Sequence, residues 1–171
     1  MFEIENKVDN SGIIQFNLED LKPSGNRLGF DMKDHLFQGL VLREKEFREF
    51  IKNNDWTIYN DAFVYIHCTA DAIVPTWAYM LVASELQGRA KAVVWGSKQD
   101  LEDELLIEAI NNLTEKDFTD ARVIVKGCSN NAIGDRVYMA LTLKLKPLVK
   151  NLMFGEACSA VPIFKKKKVS C

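Results

Sequence analysis

"HCTADAIVPTWAYMLVASELQGRAKAVVWG" occupies residues 67–96, and "GCSNNAIGDRVYMALTLKLKPLVKNLMFG" occupies residues 127–155. Each stretch has a cysteine near its start, then an Ala-Ile pair, a Tyr-Met pair, a leucine, a lysine and an aromatic-Gly stop. The pairs recur in one order: Asp61-Ala62 with Asp120-Ala121, Cys68 with Cys128, Tyr79-Met80 with Tyr138-Met139, Lys91 with Lys150, and Trp95-Gly96 with Phe154-Gly155. Any two βαβ units share apolar positions, but ordered Asp-Ala, Cys, Tyr-Met and Gly matches point to one unit written twice.

Working outward, each stretch sits inside the same series of elements. Residues 43–54 place Phe47, Phe50 and Ile51 on one face of an amphipathic helix, and residues 100–113 form its counterpart. Strands follow over 62–67 and 121–127, helices over 75–86 and 135–146, and closing strands over 90–96 and 149–155. Pro75 suits a first helical turn, and the helix after it is apolar around most of its girth, so burial is expected. Trp77, Tyr79, Trp95 and Phe154 fall within this pattern and read as core aromatics.

The expected fold is therefore α/β: a mostly parallel sheet from a duplicated αβαβ unit, with helices packed on it. Residues 1–42 differ, because "IIQFNL", "RLGFDM" and "HLFQGLVL" read as short strands around the turn "KPSGNR". The division is a β-rich N-terminal segment (1–42), a first repeat (43–98), a second repeat (99–160) and a basic tail (161–171), all within one compact domain.

Right-handed crossovers would bring each strand-to-helix turn to the carboxyl edge of that sheet, where such folds bind ligands. Cys68, Cys128 and Cys158 each follow a strand, and each precedes a small hydroxyl residue, "CT", "CS" and "CS". Helix N-termini after the first two favour a thiolate, the form that binds a soft metal or attacks an electrophile. Cys68, Cys128 and Cys158, with a fourth ligand from Asp71, His67, solvent or another chain, are thus candidates to hold zinc or an iron–sulfur cluster. No CxxC or HxxxH pair supports a local metal knuckle, so the reading rests on expected geometry. The opposite reading is that these are small buried hydrophobes. His67 shares a site with Cys68 only if the strand ends between them, and His35 reads as an ordinary polar or core histidine. Asp71 and Asp135 read first as caps of the helices that follow. Cys171 reads as a tail thiol.

Composition narrows the classes further. The 171 residues carry a net charge of -2, with 47% hydrophobic and 27% charged residues. This is the profile of a globular protein and makes nucleic acid an unlikely partner. "KKKK" at 165–168 reads as a solvated tail. The acidic start has no signal-peptide core, and no apolar run spans a bilayer, so a cytoplasmic setting with reduced thiols and no membrane partner is expected. Walker A, GxGxxG and GxSxG motifs are missing.

At "FQGLVLREKEFREFIKNNDW", "ADAIVPTWAYMLVASEL" and "GEACSAVPIFKK" the chain resembles a bacterial family known as domain of unknown function 2480. The resemblance runs from about Asn6 to Lys166. It implies recurrence of the three cysteines and partnership with iron–sulfur assembly proteins, and it carries no assigned activity. Three functions stay open: a thiol-dependent metal or iron–sulfur accessory protein, a small-molecule enzyme with a cysteine nucleophile, and a homo-oligomeric interaction module such as a homodimer.

Overall fold

The computed structural model describes residues 12–127 and 133–167. The elements run β1 (Ile13–Phe16), β2 (Arg27–Asp31), β3 (Leu36–Phe37), β4 (Val41–Leu42), α1 (Glu44–Asn53), β5 (Phe63–His67), α2 (Thr76–Leu86), β6 (Ala92–Trp95), α3 (Lys98–Asn111), β7 (Arg122–Val125), α4 (Asp135–Leu145), β8 (Asn151–Phe154) and β9 (Val161–Lys165). The fold is mixed α/β with mostly parallel pairing, and the N-terminal stretch contributes strands, as its sequence suggests.

Where a single sheet is expected, the strands divide into a sheet β2-β5-β6, a sheet β1-β7-β8-β9 and the hairpin β3-β4. The chain falls accordingly into two compact units, one of Pro23–Glu104 and one of Met1–Lys22 with Leu105–Cys171. Each parallel sheet takes its first strand from the N-terminal stretch: β2 pairs with β5, and β1 pairs with β7.

In the Pro23–Glu104 unit, cross-strand rows Leu28–Val64–Val93 and Phe30–Ile66–Trp95 line one sheet face. Ala78, Val82 and Leu86 of α2 recur at helical spacing and pack there with Phe47 and Ile51 of α1. Full burial of a Val or Leu side chain contributes about 1.5–3 kcal/mol each, so this seam positions the sheet. In the other unit the rows are Ile14–Val123–Leu152 and Phe16–Val125–Phe154. Val137, Leu141 and Leu145 of α4 cover them, together with Leu106 and Ile110 of α3.

The recurring Asp-Ala pairs have a backbone cause. Asp61 and Asp120 sit in the left-handed region, with φ of 59° and 54°. Each lies just past a one-turn 3-10 helix and its cap residue, and redirects the chain into the central strand. The Asp61 amide donates to the Arg89 carbonyl at 3.0 Å, and the Asp120 amide donates to that of Leu148 at 2.9 Å. Aspartate tolerates this conformation better than most side chains. Asp61→Ala is expected to cost about 1–2 kcal/mol, while Asp61→Gly is neutral or better, as chemical denaturation would report. Equal losses in both variants would place the cost in the carboxylate instead.

His35 lies among aromatic rings. Its imidazole stacks on Phe30, with centroids 5.0 Å apart, and lies 4.0 Å from Phe50 and 5.7 Å from Phe47. Burial lowers its pKa from the ordinary 6.5, with Asp34 and Asp31 pulling the other way. The unfolded chain therefore binds the proton more readily than the folded one. Stability is full above pH 6.5 and falls as the pH drops from there to the folded value. Urea midpoints on both sides of that pH should diverge for the native chain and converge for His35→Phe; a native profile as flat as the variant's would remove His35 as the cause.

Candidate functional site

The second helix of each unit leaves space beside the strand that follows it. In the Pro23–Glu104 unit this is a cleft of about 700 Å³ between α2 and β6, with Ile66, Tyr79, Met80, Val93 and Trp95 in its walls. The other unit has a cleft of about 490 Å³, with Val125, Tyr138, Met139, Leu152 and Phe154 at corresponding positions. Both volumes lie in the range of small-molecule sites. In each, a helix tyrosine stands edge-on to the aromatic that ends the strand. Tyr79 and Trp95 are 6.3 Å apart at 87°, and Tyr138 and Phe154 are 5.4 Å apart at 89°. Such T-shaped pairs are favourable beyond the area they bury. A Cβ at Gly127 would meet the end of the Phe154 ring, so a larger residue there would push that ring aside.

These clefts overturn two expectations. α2 is not buried all round, for Met80 is 66% exposed, as Met139 of α4 is 65% exposed. Trp95 is not a core residue but is 72% exposed, and Ile73 at the cleft mouth is 93% exposed. A helix apolar on all sides is compatible with burial or with an outward apolar face, and composition does not distinguish them.

The polar groups of the Pro23–Glu104 unit gather at the carboxyl ends of its strands. The Asp31 carboxylate accepts the Thr69 amide at 3.0 Å and the Thr69 hydroxyl at 2.5 Å. It also accepts the Lys33 amide at 3.0 Å. Burial raises the Asp31 pKa, but these hydrogen bonds and the nearby His67 outweigh it, so the carboxyl titrates below the usual value. This latch ties the loop after β5 to the end of β2 and so positions Cys68. The Cys68 thiol is half-buried and donates to the Ala70 carbonyl at 3.6 Å. Tyr79 titrates above its ordinary value: burial raises it, the Trp95 indole works the other way, and the charges of Cys68 and Asp31 raise it further. Cys68 and Tyr79 pack against the same buried cluster.

The residues of the sequence-derived metal set belong to different sheets where they are described. Cys68 follows β5 of the three-stranded sheet, and Cys158 lies exposed in the turn between β8 and β9 of the four-stranded one. A single shared sheet edge is therefore not what carries them. Cys128 and Cys171 lie outside the described residues. Asp71 is exposed and does not cap α2, whose cap position is Pro75. Asp135 does not cap α4 either; it is the first helical residue, behind Gly134. His67 lies near Tyr65, with ring centroids 5.1 Å apart. Among the described residues, no group of three His, Cys, Asp or Glu is placed to hold a metal ion, and no helix is long and apolar enough to cross a membrane. Asp31 and Thr69 were missed from sequence because their contact joins residues far apart in the chain.

Fold and clefts together define a mixed α/β protein of two units, each with an apolar cleft beside the outer parallel strand of its sheet. Over residues 2–166 the chain matches the model of a family described as "Protein of unknown function (DUF2480)", and it belongs to that family. No curated protein and no solved structure matches it.

Proposed function

We propose that the protein binds a small apolar or aromatic molecule in the cleft between α2 and β6, with the cleft beside α4 as a second site of the same kind. The observation that carries this reading is the repeated arrangement of helix tyrosine, exposed methionine and strand-ending aromatic around a space of ligand size. Methionine is suited to such a wall, because its unbranched thioether adapts to ligand shape. Thr76 and Tyr79 place hydroxyl groups at the first cleft; Asp135 and Thr142 add polar groups at the second. The repetition also supports a duplicated unit as the origin of the two halves.

The test is titration of the full chain with an anilinonaphthalene sulfonate probe, followed by isothermal calorimetry with simple aromatic compounds. Saturable binding is expected. Met80→Glu should weaken the first site at least about tenfold, since an unpaired charge there must be desolvated, and Met139→Glu should do the same at the second. Both side chains are about two-thirds exposed, so neither change threatens the fold. Absence of saturable binding, or binding that survives both substitutions, would overturn the reading.

Thiol chemistry on the bound molecule is a second reading, favoured by the half-buried Cys68, which packs on the same buried cluster as Tyr79. It requires Cys68 to alkylate much faster than Cys158 near neutral pH. In a cytoplasmic setting the thiols would stay reduced. Zinc or iron–sulfur ligation by Cys68, Cys128, Cys158 and Asp71 is decided by metal content and visible spectrum after anaerobic purification, set against a Cys68→Ser, Cys128→Ser variant.

A further inference from the structure

We propose that two copies of the chain associate through β6, placed antiparallel, so that the second copy supplies the missing wall of the α2–β6 cleft. This deepens the ligand-binding reading above and rests on it only for the purpose of the completed cleft.

The four-stranded sheet shows what such an edge accepts. There the strand corresponding to β6 is β8, and its outer side pairs antiparallel with β9. Phe164 of β9 lies opposite Leu152 and packs on that unit's core, while Ile163 enters the wall of the cleft. In the three-stranded sheet β6 pairs with β5 alone among the described residues, so its outer backbone groups have no strand partner. The cleft beside it correspondingly has no residue in the place of Ile163.

The two outer strands also differ in how they treat further pairing. β9 carries Pro162, a register shift beside it and Lys165, all features that discourage another strand from adding. β6 is Ala92-Val93-Val94-Trp95, with neither proline nor charge and with Trp95 projecting into solvent. An unblocked apolar edge of this kind is a template for strand addition.

Symmetry selects the occupant. A twofold axis normal to the sheet relates two copies of an edge strand in antiparallel orientation and keeps each residue on its own sheet face. That is the orientation β9 has against β8. With Val94 on the axis, Trp95 falls opposite Val93 of the second copy on the helix-bearing face. Aromatic and β-branched residues are favourable cross-strand pairs. The added strand then extends the cleft floor past Trp95, as β9 extends it past Phe154.

The experiment is sedimentation velocity of the full chain from low to high micromolar concentration, with Trp95→Lys and Val94→Cys variants. The native chain is expected to be a dimer. Trp95→Lys, at a side chain already 72% exposed, should keep the far-ultraviolet circular dichroism and lose at least about tenfold in association. Ile163→Lys, on β9, should leave the dimer unchanged. Mild oxidation of Val94→Cys should give a disulfide joining position 94 to position 94, identified by peptide mass, because residues facing each other across the axis lie within disulfide reach. A native chain that stays monomeric, or a dimer that keeps its affinity in Trp95→Lys and forms no such crosslink, would overturn the proposal. Calorimetry on the same samples separates the two readings: a β6 dimer that takes no ligand removes only the ligand, and a monomer that binds ligand removes only the dimer.

Discussion

Trp56→Ala is expected to destabilise the Pro23–Glu104 unit by about 3–5 kcal/mol, at the upper end for a single truncation. Trp56 is 5% exposed and opens the one-turn 3-10 helix before β5. Its ring stacks on Phe30 at 5.7 Å and meets Phe50 edge-on at 6.2 Å. Its indole N–H donates to the Ile51 carbonyl at 3.0 Å, in the last turn of α1. Truncation opens a cavity between α1 and the sheet and removes the donor from a buried acceptor. Trp56→Phe keeps one ring of the stack and loses the donor with the smaller ring of the indole, for about 1–3 kcal/mol, so the gap between the two variants reports the remaining cavity. Hydrogen exchange would show the loss in the amides of β5 and α2. An alanine variant no weaker than the phenylalanine one would mean that the neighbouring rings collapse into the space.

The second large effect is expected at Phe118. It is 1% exposed and meets Phe16 of β1 edge-on at 5.7 Å. Phe16 lies beside Val125 in the register of β1 on β7, so Phe118 braces the parallel pair that brings the start of the chain against its second half. Phe118→Ala should cost about 3–5 kcal/mol, read as a fall in the urea midpoint, with β1 the first strand to lose exchange protection. The corresponding residue in the other unit is Tyr59, which is 8% exposed, and burial raises its pKa. Phe118→Tyr should therefore be costly too, by about 1–3 kcal/mol, because a hydroxyl in a fully enclosed place loses water. If Phe118→Tyr is neutral, the site has room for solvent that its exposure does not suggest.

These residues bear on the clefts through the sheets they brace. The strand ends that carry Trp95 and Phe154 belong to the rows Phe30–Ile66–Trp95 and Phe16–Val125–Phe154. Loosening Phe30 or Phe16 therefore moves a cleft wall, even though neither residue lines a cleft.

Much of the candidate site was legible in the amino-acid order, though its role was not. Tyr79-Met80 and Tyr138-Met139 stood out as matched pairs, and their match is now geometric: one residue stands against the strand-ending aromatic and the next faces outward. The cysteines stood out as strongly, yet Cys68 and Cys158 follow strands of different sheets. Position after a strand is a local property, whereas convergence on a metal is not.

The sequence by itself determined the local elements. Helical spacing of Phe47 and Ile51 made α1, β-branched runs made β5 and β7, and the tolerance of aspartate for positive φ set the turns at Asp61 and Asp120. Only the tertiary structure decided which strands pair. β1 and β2 are both short strands near the start of the chain, yet one joins β7 and the other β5. Their hydrogen bonds join backbone groups that every residue type carries, so the partner is chosen by which packed rows close against Val137, Leu141 and Leu145 or against Ala78, Val82 and Leu86. The same holds for exposure: a methionine or tryptophan is apolar wherever it lies, and only the neighbours that did or did not arrive left Met80 and Trp95 facing outward.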